Sequence, residues 1–366
     1  MPSQADWVAS LSPWPRDGFG LERMRALLAE LGDPQLAFPA IHVVGTNGKS
    51  TTARTIEESL HREGLVAGGY YSPHVTGWAE RIRVFGVEAN FERAVGRVRP
   101  RAETLGATQF EVLTAAALVE FATTAVDVAA VEAGLGGRHD ATNVLRSPVQ
   151  VLTNVALEHT DVLGKTRAAI AAEKLAVVKT GATVVLGEPE WAPVAFTSGA
   201  AEVRVETGGN RALGGVAASA FLGRPVEPAA VELPGRLERR GDEIWDGAHT
   251  PEAVRYIASS LPPIGSIVVS VMGDKDVDGL LRELSRLASV LVATSCANPR
   301  ALPAGDLAAL ARAHFGQVEI ESDPALALAR AHEIGAPVLV TGSLYLLADL
   351  TAREEESEPW RTLVSG

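Results

Sequence analysis

Gly45-Thr46-Asn47-Gly48-Lys49-Ser50-Thr51 brings together small backbone-exposing residues, a cation and hydroxyls within one short run. It lies between an apolar run at 41–44 and a stretch of helix formers at 50–63, so the spacing predicts strand, loop, helix. In that setting backbone N–H groups and the start of the helix can cradle phosphate. Lys49 would neutralise a transferred phosphate, and the hydroxyl of Ser50 or Thr51 would reach a magnesium ion, which prefers oxygen ligands. The strict phosphate-loop pattern wants glycine at position 43, where this chain has Val43, so an ordinary turn of small polar residues is the alternative.

Glu132 closes a β-branched run at 126–131 and precedes Ala-Gly-Leu-Gly-Gly, a turn that lets a ligand approach the backbone. His159 lies just past a second such run at 149–155. The carboxyl ends of parallel strands share one edge, so Lys49, Glu132 and His159 are expected to converge there as a phosphate and divalent-ion site. Taken singly, Glu132 reads equally as an ion-pair partner and His159 as a capping side chain. Lys174 sits on a predicted helix over 166–179, where nothing in the periodicity separates it from a surface lysine. Asp246 and His249 flank a tight turn before a helix that begins at Pro251, and a loop anchor is the alternative for Asp246.

The elements that must position these groups read as α/β. Runs at 41–44, 126–131, 149–155 and 183–186 alternate with helical stretches, which argues for a mostly parallel sheet covered by helices. The periodicity weakens over 188–233, and a domain edge is expected near residue 234. Beyond it strands at 266–271, 290–294 and 337–341 alternate with helices at 277–288, 303–314 and 324–334, a second and smaller α/β domain. The acidic residues of 353–358 read as a solvated end.

Composition narrows the partners. With 366 residues, 46% of them hydrophobic, the chain can bury more than one core. Its 33 Lys and Arg against 45 Asp and Glu give a net charge of −12, which repels polyanions and argues against nucleic acid. The single cysteine, Cys296, excludes an internal disulfide and fits a reducing cytoplasm. The start of the chain lacks the charged and apolar segments of a secretory signal. The longest helical apolar stretch, 112–126, is interrupted by Glu120 and falls short of the roughly 20 residues a bilayer needs, so no membrane is expected.

Taken in order, these motifs resemble the Mur ligase superfamily, and their flanks are most similar to the folylpolyglutamate synthase and dihydrofolate synthase family. The likeness is carried by Gly20-Leu21-Glu22-Arg23, by Phe38-Pro39-Ala40-Ile41-His42 running into the loop, and by Tyr71-Ser72-Pro73-His74 followed by Glu80-Arg81-Ile82-Arg83. It continues through Glu132 to Asn143 and through Leu157-Glu158-His159-Thr160-Asp161.

The resemblance implies a phosphate-loop ATPase domain over 1–234 and a Rossmann-like glutamate-ligase domain over 235–366. It implies ATP and Mg2+, with Ser50 or Thr51, Glu132 and His159 as metal ligands and Lys49, His159 and Lys174 as catalytic groups. Lys174 would be carbamylated, as in many members. Asn210, Arg236 and Asp246 join the loop in binding nucleotide. Ser72, Pro73, His74, Asp140 and Ala141 face folate, and Asp246, His249 and Ser343 face glutamate. The expected activity is ATP-dependent addition of L-glutamate to a folate carboxylate through an acyl phosphate, by a cytoplasmic monomer. Dihydrofolate synthase activity on dihydropteroate, alone or combined, is the alternative, ahead of another Mur-type ligase or a non-catalytic nucleotide-binding scaffold. Three residues depart from the family pattern: Ser50 replaces the glycine that usually follows the loop lysine, Glu158 stands where aspartate is common, and Thr250 replaces asparagine.

Overall fold

A computed structural model describes residues 3–15 and 18–357, with the side chains of 354–357 left aside. The chain forms two compact units, one of residues up to Pro73 together with Trp78–Val231, the other of His74–Gly77 together with residues from Glu232 onward. Among the described residues no helix is long and apolar enough to cross a membrane. Of the acidic run at 353–358, residues 353–357 close the last helix and residue 358 lies outside the described residues.

The first unit is built on eight strands. They are β1 (Ala40–Val44), β2 (Ala67–Tyr70), β3 (Ile82–Val84), β4 (Val87–Glu88), β5 (Val128–Glu132), β6 (Val149–Leu152), β7 (Thr183–Leu186) and β8 (Glu202–Val205). Their order is β4-β3-β2-β5-β1-β6-β7-β8, antiparallel only where β3 meets β2 and β4. β1 and β5 are buried along their whole length, as strands covered on both faces must be. Ile41 and Val43 pack with Ile56, Leu60 and Leu213 from the helices Lys49–Arg62 and Asn210–Leu222. Ala40 joins the other face, where the helix Gln109–Thr123, started by a Thr108–Glu111 capping box, buries Val112, Leu113 and Phe121. β1 lies in the middle of the sheet, and the loop after it is therefore held from several sides.

The second unit has β9 (Glu238–Arg240), β10 (Glu243–Trp245), β11 (Ser266–Val269), β12 (Val290–Ala293), β13 (Gln317–Ile320) and β14 (Val338–Thr341) in the order β13-β12-β11-β14-β10-β9, parallel except at β9. The α/β architecture with mostly parallel sheets is thus the one expected from sequence.

The expected elements differ in detail for physical reasons. The run at 149–155 leaves the sheet after Leu152, because Thr153, Asn154 and Val155 turn their polar groups to neighbouring loops and to Glu188. The helix expected over 166–179 spans Arg167–Lys174 and closes in the 3-10 turn Leu175–Val177. Within 188–233, where periodicity is weak, the chain forms edge strand β8 with an exposed and half-exposed pattern that leaves no apolar run to read.

His42 sits in the middle of β1, fully buried, with Nε2 at 2.7 Å from the Thr142 hydroxyl. That hydroxyl donates to Asp140, so the His42 ring must be the donor to it. Burial, with Lys179 adding to it, lowers the His42 pKa to about 3. A histidine depressed in the fold stays neutral while the unfolded chain takes up a proton below about pH 6.5, so stability is lost as pH falls. We predict that His42 costs about 1.4 kcal/mol per pH unit between about pH 6 and pH 4, and that this slope vanishes in His42→Gln. Urea denaturation of both proteins across that range checks it, and equal slopes would show that His42 titrates normally.

Candidate active site

The loop after β1 is fixed by its neighbours before any ligand arrives. Gly45 has φ 150°, and a Cβ there would fall 1.8 Å from Thr153 Oγ1. Gly48 has φ 80°, and a Cβ there would fall 2.3 Å from Asn210 Oδ1. Both positions require glycine for conformation and for space. Between them the loop is bonded to the segment after β6. Thr46 N–H donates to the Asn154 carbonyl at 3.0 Å and Asn47 N–H to Asn154 Oδ1 at 2.9 Å. The Thr153 hydroxyl and Asn154 amide both donate to the Asn47 carbonyl, at 2.7 and 3.1 Å. Ala156 N–H donates to the Thr46 hydroxyl at 3.1 Å.

The helix Lys49–Arg62 starts at once, bringing Lys49 Nζ to 3.2 Å from the Thr46 carbonyl. One residue on, the Ser50 hydroxyl lies 3.1 Å from Glu132 Oε1. The other Glu132 oxygen accepts the Ser72 N–H at 3.0 Å. Glu132 ends β5 and Ser72 comes just after β2, strands adjacent in the sheet, so one buried carboxylate ties the phosphate-type loop to the 72–73 turn. Of the two candidate hydroxyls, Ser50 is the one that touches Glu132. Thr51 comes next, half-buried on the helix.

Lys174 is not a surface lysine. It is 1% exposed, with Nζ 2.8 Å from the Gly45 carbonyl and 2.7 Å from Glu158 Oε1. Burial pushes its ammonium pKa down, Glu158 opposes that, and Lys49 adds to it. Burial alone would raise the Glu158 carboxyl, but Lys174 and Lys49 outweigh it and hold Glu158 below the ordinary range. His159 comes next with a left-handed backbone, φ 44° and ψ 44°, and its carbonyl accepts N–H groups of Val162 and Leu163 as a single helical turn begins. Its imidazole adds to the positive field at Glu158. For a non-glycine residue that backbone costs of order 1 kcal/mol and persists where the surroundings impose it.

Asp140 and Ala141, expected on the folate side, are buried. The Asp140 carboxylate accepts N–H groups of Leu135 and Thr142 at 2.8 and 3.0 Å together with the Thr142 hydroxyl, bonds that hold the glycine turn after Glu132. Burial raises its pKa against those bonds. Ser72 is half-buried and Pro73 exposed beside Glu132, whereas His74 belongs to the second unit. Asn210 begins the helix that packs on Lys49–Arg62 and stands against Gly48.

In the second unit, Asp246 and Ser343 lie just past the parallel neighbours β10 and β14 and so share one sheet edge. Asp246 is buried and accepts N–H groups of Leu237 and Ala248, each at 2.8 Å; burial raises its carboxyl and Arg236 opposes the rise. His249 Nδ1 is 2.9 Å from the Gly247 carbonyl, so Nδ1 carries the proton. The two turns are joined by Gly342 N–H on the Ala248 carbonyl at 2.9 Å, and Ser343 Oγ accepts Tyr345 N–H at 3.0 Å.

Among the described residues no set of three or more His, Cys, Asp or Glu side chains gathers as a metal site. The pair of oxygens from Ser50 and Glu132 suits a magnesium ion, which keeps several waters and takes phosphate oxygens as ligands instead of an all-protein cage. Thr153 and Asn154 carry no functional signal in the sequence, although an asparagine at a strand end, before a motif, is the residue type that can bond a neighbouring backbone through both its donor and its acceptor.

Comparison with known proteins identifies the family and the fold. The Mur ligase middle domain matches residues 43–191, and the Mur ligase glutamate ligase domain matches residues 235–344. The dihydrofolate synthase/folylpolyglutamate synthase of Escherichia coli is 32% identical over 385 residues, covering 90% of each chain. That of Mycobacterium tuberculosis is 31% identical over 83% of this chain and 80% of its own. Among solved structures, E. coli FolC in complex with DHPP and ADP superposes with TM-score 0.87 at 28% identity, covering 98% of this chain and 99% of that one. A bifunctional folylpolyglutamate synthase/dihydrofolate synthase with Mn, AMPPNP and L-glutamate bound gives TM-score 0.84 at 29% identity over 97% of this chain and 98% of that one. The chain belongs to the dihydrofolate synthase/folylpolyglutamate synthase family of Mur ligases.

Proposed function

We propose that this protein joins L-glutamate to the carboxylate of a folate at the expense of ATP, as a folylpolyglutamate synthase. The observation that carries this reading is the Glu132 carboxylate held between the Ser50 hydroxyl and the Ser72 N–H, beside Lys49 and the N-terminus of the helix Lys49–Arg62. That is an oxygen-rich edge next to an anion cradle, the pairing a metal-bound nucleotide needs.

The substrate carboxylate oxygen attacks the γ-phosphorus, ADP leaves, and an acyl phosphate forms. The glutamate amine then attacks the acyl carbon, phosphate leaves, and the amine loses a proton as the amide is made. The N–H groups at the start of the helix Lys49–Arg62 and the Lys49 ammonium bind and orient the phosphates, those of Thr46 and Asn47 being bonded to Asn154, and Asn210 borders the loop on the nucleotide side. Ser50, Glu132 and His159 would hold Mg2+, which would offset charge on the phosphate oxygens. Positioning and charge neutralisation supply most of the acceleration. Ser72 and Pro73 form the acceptor side, with Asp140 and Ala141 shaping it from within. The first unit serves as the ATP-binding domain, and the second, as the glutamate-ligase domain, carries Asp246, His249 and Ser343 for glutamate.

A second reading, dihydrofolate synthase activity on dihydropteroate, is favoured by the relatives of E. coli and M. tuberculosis, both named for the two activities, and by the DHPP held in the E. coli structure. Cys296, buried and the one cysteine of the chain, supports a cytoplasmic setting.

With magnesium, ATP and glutamate, the purified protein should release ADP in step with a product one glutamyl residue heavier than tetrahydrofolate or dihydropteroate. Mass spectrometry identifies the acceptor, and silence with both would remove the ligase reading. Lys174 is expected to be carbamylated in the working enzyme. Burial lowers its pKa towards the neutral amine that reacts with CO2, and the modification would turn its cation into a carboxylate beside the loop. Protein equilibrated with 13C-bicarbonate should give a carbamate carbon signal by NMR that is missing from Lys174→Arg. Identical spectra would leave Lys174 as an ammonium bridging Gly45 and Glu158.

A further inference from the structure

Val155 lies between the residues that fasten the phosphate-type loop, Thr153 and Asn154, and the residues that bring in Glu158 and His159. Both of its backbone polar groups are taken by side chains from elsewhere in the same unit. Its N–H donates to Glu188 Oε2 at 3.0 Å, and its carbonyl accepts Arg167 Nε at 2.8 Å. The two side chains are bonded to each other, Arg167 Nη2 to Glu188 Oε1 at 3.0 Å. Trp191 closes the group: its Nε1–H donates to Glu188 Oε2 at 2.6 Å, and the Arg167 guanidinium lies 5.2 Å from its ring centroid. Glu190 holds a further guanidinium nitrogen at 2.7 Å.

A planar guanidinium is suited to this task because it can bond a carbonyl and a carboxylate at once in fixed directions. An ion pair as exposed as this one contributes little to overall stability. Its specific effect is to fix one residue through the peptide groups on both of its sides. The residues around it, Thr153, Asn154 and Ala156, are bonded to Thr46 and Asn47. A few residues on, His159 keeps its left-handed backbone. The clamp therefore lies outside the loop and braces both the 153–156 segment that holds the loop and the turn that carries Glu158 and His159.

We propose that Arg167 and Glu188 are positioning residues for nucleotide binding, acting through Val155 on the phosphate-type loop and on the Glu158–His159 turn. This rests on the ligase reading above, and neither residue touches the reacting atoms in it.

The test uses the whole protein, with magnesium–ATP titrated calorimetrically in the absence of acceptor and glutamate, and KM for ATP and for glutamate measured separately. Arg167→Ala and Glu188→Ala should each weaken ATP binding and raise its KM about tenfold, the scale of losing hydrogen bonds to a charged group, with KM for glutamate nearly unchanged. Together they should do little more than either alone, because they act as one unit. Glu188→Gln keeps an acceptor for Val155 and Trp191 but turns an amide towards Arg167, so it should fall between the wild type and Glu188→Ala. Arg204→Ala, which removes an ion pair with Glu202 on the exposed edge strand, serves as the surface control and should bind ATP normally. Folded variants, Glu188→Gln included, that bind ATP as the wild type does would overturn the clamp, whatever their melting temperatures. A wild-type protein that fails to bind magnesium–ATP would instead overturn the ligase reading and the clamp with it.

Discussion

The geometry of the first unit depends on one constraint: the two ends of the loop at 45–48, Gly45 and Gly48, have no room for a side chain. Thr153 presses on Gly45 and Asn210 on Gly48, so side chains are excluded from both turns of the loop. The Thr46 and Asn47 N–H groups are bonded to Asn154, so what the loop offers an anion is the start of the helix Lys49–Arg62. Because Thr153 and Asn154 already satisfy the Asn47 carbonyl, the loop does not have to be ordered by its ligand. Binding free energy is then available for orienting the phosphates, which is the advantage of a preorganised site.

The charges around that loop are set by burial. Lys174 is almost wholly removed from water, and an isolated ammonium there would lose its proton before it lost several kcal/mol of hydration. Glu158 and the Gly45 carbonyl compensate, and Lys49 adds a second cation to the field at Glu158. The longer side chain of glutamate at 158, where aspartate is common in the family, reaches the Lys174 amine directly. A buried pair of this kind is weak evidence for stability in itself, whereas removing one partner is costly. Its value lies in fixing the loop carbonyl of Gly45 from beneath. Glu132 does the corresponding work on the opposite side, joining Ser50 to Ser72 across neighbouring strands.

Much of this is legible in the sequence where chemistry and periodicity coincide. The apolar run of β1, the glycines of the loop and the position of Glu132 at the end of β5 fit a parallel sheet whose carboxyl ends share an edge. The strands β2, β8, β9 and β13 are not legible. They are short, rich in glycine or charge, and β8 and β13 lie at sheet edges, so packing and pairing define them and no apolar alternation does. Lys174 shows the same limit: its helix reads as amphipathic, and only the approach of Gly45 and Glu158 makes it an interior group. Family likeness points Asp140 towards ligand, while its three acceptor bonds turn it inward to the glycine turn.

In the proposed function, Glu132 and Ser50 make the loop a site for magnesium-bound nucleotide and not for bare phosphate alone. Calorimetric titration of ATP with magnesium and with EDTA, on the wild type and on Glu132→Gln, tests it most directly. Magnesium should tighten ATP binding about tenfold or more in the wild type, in keeping with a charge-assisted contact, and most of this gain should be lost in the variant while metal-free binding is unchanged. Equal magnesium dependence in the two proteins would contradict it.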